Sequence, residues 1–155
     1  MTNYPKNFSR EELLHSNAAS RLGIENTPDS SEIEQNMLKT ALFLQKVRDE
    51  ITKTTGEDRG IKVLSCYRCP KLNVAVGGSK TSAHKLGLAA DIVVEGWSVE
   101  RLAKLIVDNF SFDQVILEFA QWVHVGIATK ERERNMVLIA TKEGDKTTYK
   151  PIKLK

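Results

Sequence analysis

Ser82–Asp91, SAHKLGLAAD, decides how this chain is read, together with an answering stretch, Glu118–His124, EFAQWVH. His84, Asp91 and His124 offer the nitrogen and oxygen donors that bind a borderline or hard cation. Three protein ligands leave one corner of a tetrahedral zinc ion open to water, which separates a catalytic site from a closed structural one. The expectation is therefore a zinc-dependent hydrolase in which the ion activates water. Asp91 enters the apolar run Ile92-Val93-Val94. A carboxylate there is costly unless paired or metal-bound, which favours the ligand reading. Gly87 and Ala89 are small where the chain must turn to bring Asp91 beside His84.

Ser82-Ala-His84 with Gly87, Ala89 and Asp91, followed by a Trp-Val-His ending at His124, resembles the paired signature of the zinc D-Ala-D-Ala carboxypeptidase-type peptidoglycan peptidases. That group includes bacterial D,D-carboxypeptidases and dipeptidases, phage endolysins that cut wall peptides and, more distantly, the Hedgehog signalling domain. The resemblance runs from about Phe8 to about Ile127 and takes in NFSREEL, GIENTP and SCYRCPKLNVAVGGS. It implies a zinc cofactor, a peptidoglycan peptide as substrate and a Hedgehog/D,D-peptidase-like fold. It also implies a role for Arg68, at the exit of the strand-like run Ile61–Tyr67. In the resembled enzymes an arginine in this Tyr-Arg context grips a substrate carboxylate or carbonyl, a task suited to the planar guanidinium fork.

Gln114–Glu118 and Trp122–Ile127 read as two strands of a hairpin around Phe119-Ala120-Gln121. With a three-residue loop, Glu118 pairs with Trp122 and Ile116 with His124, so all four side chains share one face; a slip of one residue turns Glu118 away. The resembled enzymes commonly place an acidic base three residues before the second histidine. That position here is Gln121, which cannot take a proton. Glu118 is the candidate catalytic base in its place. The rival reading makes Glu118 a salt-bridged residue and the protein a catalytically impaired metal-binding module that serves as a structural or wall-binding component. Trp122 either walls a site for the small side chain of D-alanine or packs in the core. The Ser82 hydroxyl orients either a substrate carboxylate or its own loop.

The remaining chain supplies the scaffold. Ser9 and Glu12 form a capping-box pattern for a helix through Leu13, Leu14 and Ala18 that stops near Gly23. Asn26-Thr-Pro28-Asp reads as a turn. Ser31 with Glu34 repeats the capping pattern ahead of a helix of about five turns, whose stripe Ile33, Met37, Ala41, Leu44, Val47 and Ile51 backs the sheet, with Gly56 as its stop. Pro70–Thr81 carries too much turn chemistry for regular structure and reads as a loop arching toward the cleft. Ser98 caps an amphipathic helix. Met136–Ala140 and Thr147–Ile152 form a last hairpin around Glu143-Gly-Asp145, and Lys130–Arg134 reads as a solvated charged approach. The fold class expected is α+β: a small antiparallel sheet bearing the metal site, with helices on one side.

At 155 residues the chain is read as one metallopeptidase domain spanning 1–155, with no room for a separate wall-binding module. A net charge of +3 is far from a nucleic-acid signature. No apolar run reaches membrane-span length, and MTNYPKNFSR lacks a secretory h-region. The expectations are a monomer without nucleic-acid or membrane partners, made in the cytoplasm and acting on the cell wall, as phage lysis enzymes do. Cys66 and Cys69 flank Arg68, but there is no second CxxC to complete a zinc site, so they read as free thiols or an incidental disulfide.

Overall fold

The computed structural model describes residues 3–155. A six-stranded sheet runs in the order β1-β2-β4-β3-β5-β6. Its strands are β1 (Ile61–Ser65), β2 (Ala89–Val94), β3 (Gln114–Glu118), β4 (Trp122–Gly126), β5 (Met136–Glu143) and β6 (Lys146–Pro151). Every pairing is antiparallel except β3 with β5, so the expected all-antiparallel sheet becomes a mixed one where the chain returns after β4. The helices are α1 (Arg10–Leu14), α2 (Asn17–Leu22), α3 (Ser31–Thr55), α4 (Pro70–Ala75) and α5 (Val99–Asn109), with a 3₁₀ turn at Ala83–Leu86.

Strand alternation divides the sheet into two unlike faces. Ala90, Ile92, Val94, Val115, Leu117, Val123 and Val125 join one core with the helices. Met37, Ala41, Leu44, Val47 and Ile51 of α3 are fully buried, which realises the predicted stripe. Each large side chain so buried contributes about 1.5–3 kcal/mol. Asp91, Ile116, Glu118, Trp122 and His124 lie on the other face.

Several boundaries differ from expectation for local reasons. The first helix is broken: His15 is extended, and Ser16 restarts the chain as the cap of α2, accepting from the Ala19 amide. The cap of α3 is Ser30 rather than Ser31, and Glu34 turns outward to form a two-pronged ion pair with Arg10 at 2.8 and 2.7 Å. The helix is 25 residues long, about seven turns, and ends as expected at Gly56 in the left-handed conformation. The segment read as one loop contains α4, because Pro70 stands at its first turn and the Cys69 sulfur accepts from Leu72 N–H. Arg134, read as part of a solvated run, instead grips the nearly buried Asp113 through two bonds of 2.8 Å.

Candidate metal centre

Each site residue is held by a different device. The Ser82 hydroxyl accepts from the His84 amide and starts the 3₁₀ turn, so of its two expected roles it visibly fills the loop-orienting one. Gly87 ends that turn at φ +74°. A β-carbon there would lie 2.8 Å from Met37 Cγ, so the turn seats directly on α3 only because position 87 has no side chain. Two polar side chains on the same helix clamp it: Asn36 donates to the Leu86 carbonyl at 2.9 Å and Thr40 to the Gly87 carbonyl at 2.7 Å. The stripe expected to back the sheet thus also carries the clamp that aims His84.

β2 and β4 pair with Asp91 opposite His124, which brings carboxylate and imidazole together across the ladder. His84, Asp91 and His124 each offer a ligand atom within 4.8 Å of the others, and all three are buried. Asp91 Oδ1 is 3.3 Å from His84 Nε2 and 3.1 Å from His124 Nδ1. Ligands about 2.0–2.1 Å from a tetrahedral zinc ion stand about 3.3–3.4 Å apart, so these separations suit such an ion.

The protonation pattern argues the same way. His84 Nδ1 is 2.6 Å from the Cys66 carbonyl, which only accepts, so Nδ1 carries the proton. Nε2 is then a bare lone pair, buried without a hydrogen-bond partner and facing a carboxylate oxygen. Two acceptors turned toward each other in a buried site are well matched to a cation held between them. Burial pushes the His84 imidazole toward its neutral form, as a metal ligand must be, although Asp91 opposes this. Burial alone would raise the Asp91 carboxyl, but the two imidazoles prevail and hold it far below the usual range. The residues therefore fit a divalent metal, and the nitrogen-rich donor set suits zinc.

Glu118 pairs with Trp122 and Ile116 with His124, the register expected from the sequence. The turn is closed by Phe119 and Ala120, both at φ 56°, while Gln121 N–H donates to the Glu118 carbonyl. Gln121 is exposed in that turn, whereas Glu118 Oε1 lies 3.8 Å from His124 Nδ1. Burial raises the Glu118 carboxyl above its ordinary value, and the charge on Asp91 adds to the effect; His124 and Arg68 work against it. Trp122 lies in the same row, its ring edge-on to Phe119 with centroids 5.7 Å apart. Its indole N–H is buried beside Glu118 but outside hydrogen-bond geometry.

Arg68 stands on the β1 side of the cluster. Its guanidinium donates to Ser65 Oγ at 3.2 Å, Asn73 Oδ1 at 3.2 Å and Asp91 Oδ2 at 3.4 Å. A bulge at Leu64 makes this possible by setting Ser65, not Leu64, opposite Asp91. Asn26, expected only as part of a turn, donates to the Tyr67 carbonyl and accepts from the Cys69 amide, fixing the backbone on both sides of Arg68. Nothing local to Asn-Thr-Pro announces that role, since its partners lie 41 and 43 residues away. Cys66 and Cys69 are free, buried thiols outside the ligand cluster.

A family described as Peptidase M15 matches residues 6–126. No curated protein matches the chain. The family match ends at the last residue of β4 and so spans all three residues of the cluster, Arg68 and Glu118, but neither strand of the terminal hairpin.

Proposed function

The chain belongs to the peptidase M15 family, and from that premise we propose that it is a zinc-dependent peptidase that hydrolyses an amide bond in the peptide stem or cross-link of bacterial peptidoglycan. The observation that carries this reading is the bare His84 Nε2 facing the Asp91 carboxylate, with His124 completing a buried three-residue cluster on the sheet face opposite the helices. Zinc held by these three residues would supply a Lewis acid for the scissile carbonyl and lower the pKa of water.

The chain's own residues supply the rest. Glu118, desolvated and next to the cluster, takes a proton from the attacking water and returns it to the leaving amine. Arg68 presents a fixed guanidinium beside Asp91 for a substrate carboxylate or carbonyl, and Trp122 walls the cleft on the Glu118 side. Ser82 holds the turn that carries His84 and, in this reading, faces the same end of the substrate. No helix among the described residues is long and apolar enough to cross a membrane.

The second reading, an impaired metal-binding module that holds wall peptide without cutting it, is favoured only by glutamine at position 121. Mass analysis of muropeptides after incubation with wild type, Glu118→Ala and His84→Ala, each with and without chelator, decides between the two. The peptidase reading expects new amine ends from wild type alone, abolished by chelator. Binding to sacculi with no new ends in any sample would leave the module.

A further inference from the structure

The terminal hairpin β5–β6 lies beyond the matched segment, yet it continues the face that carries the cluster. Glu118 pairs with Ala140, and Ala140 with Tyr149, so the three stand in one row across β3, β5 and β6 on the same side of the sheet. Ala140 is fully buried and contributes only a methyl group to that row. Tyr149 is 53% exposed, so an arriving ligand can reach its ring. Its hydroxyl nevertheless feels Glu118 and Asp91: partial burial raises its pKa first, and those two carboxylates add to the rise. The hairpin is fastened to the site by the Phe119 amide, which donates to the Ala140 carbonyl at 3.0 Å, and by Lys142 over the Phe119 ring.

Taking the peptidase reading as given, we propose that Tyr149 is a substrate-binding residue that hydrogen-bonds the backbone of the stem peptide on the N-terminal side of the scissile bond. The direction follows from the strand order. Arg68 lies beside Asp91 on the β1 flank, so a peptide whose carboxylate it holds crosses the cluster at β2 and β4 and continues over β3, β5 and β6. From β4 to β6 is three strand spacings, about 14 Å. An extended peptide advances about 3.3–3.6 Å per residue, so about four residues reach Tyr149 and a free dipeptide does not. The site thereby selects a stem peptide over D-Ala-D-Ala alone.

The test compares wild type with Tyr149→Phe, which keeps the ring and removes the hydroxyl. Lys150→Ala, on the next residue and the opposite face, is the control. Two readouts are used: steady-state kinetics on a synthetic stem pentapeptide and on free D-Ala-D-Ala, and the dissociation constant of the pentapeptide for metal-free protein, followed by indole fluorescence. Loss of one hydrogen bond is expected to raise the pentapeptide KM and the dissociation constant about three- to tenfold, with kcat within about twofold and the dipeptide unaffected. Unchanged pentapeptide KM and dissociation constant in Tyr149→Phe overturn the proposal while the peptidase reading stands. If wild type binds the pentapeptide but cleaves nothing, the peptidase reading fails, and the ratio of dissociation constants still decides the role of Tyr149. Absence of pentapeptide binding by wild type overturns the proposal as well.

Discussion

Half-buried Glu118 stands beside the buried cluster that includes His84, yet substitutions at the two should separate metal binding from chemistry. Glu118→Gln keeps the shape of the side chain and removes the proton acceptor; it should retain about one zinc per chain by metal analysis while peptide release falls about 10²–10⁴-fold. His84→Ala removes a ligand and should lose both. If Glu118→Gln cleaves at the wild-type rate, Glu118 is not the base. Arg68 is a subtler case because it already donates to Ser65, Asn73 and Asp91. Arg68→Lys keeps the charge without the planar fork, so it should raise KM more than it lowers kcat. The residue types at 84, 91 and 124 made the metal reading possible from the sequence. Their protonation pattern did not follow from residue type, because it depends on the carbonyl of Cys66, eighteen positions before His84.

At the scale of elements, the 3₁₀ turn and the segment entering β5 are the joints on which the site depends. Gly87→Ala places a β-carbon against Met37 in a backbone region that costs a residue with a side chain about 1–2 kcal/mol. It should lower the denaturation midpoint and weaken zinc affinity together, since the turn carries His84. A variant destabilised with unaltered zinc affinity would show that the turn does not aim the ligand. Asp113 and Arg134 tie the entry of β5 to the start of β3. The guanidinium bonds hold the Asp113 carboxyl below its ordinary value, with burial opposing. A carboxyl depressed on folding stabilises the native state above its unfolded pKa, about 3.9, and loses that contribution as pH falls through the lower folded value. Asp113→Asn should therefore unfold earlier than wild type at pH 7, with the gap closing below about pH 4 in a denaturation series. Equal gaps at both pH values would remove the ion pair as the cause. The β3–β4 hairpin was legible because its side-chain period leaves one register that puts Glu118 and His124 on one face. The break after α1 and the helix inside 70–81 were not, because each depends on a single residue acting as a cap, Ser16 and Cys69.

Across the whole molecule, one face of the sheet is given to the core and the other to chemistry, and the terminal hairpin covers what would otherwise be an open edge at β3. Truncation after Ile127 should uncover that edge and strip Val137 and Ile139 from the core, lowering the unfolding midpoint and promoting aggregation, as light scattering would register. A truncated chain as stable and dispersed as the full one would mean that the hairpin serves the site alone. The sequence by itself determined the candidate ligand types, the long amphipathic helix with its glycine stop, the register of the β3–β4 hairpin and the family, because each is written in local spacing or in short motifs. Only the tertiary structure decided that Asn26, Asn36 and Thr40 hold the backbone around Arg68 and His84, that β5 lies parallel to β3, and that Tyr149 shares a row with Glu118. Those relations join residues brought together by packing, and the period of a helix or strand carries no information about which distant segment will lie against it.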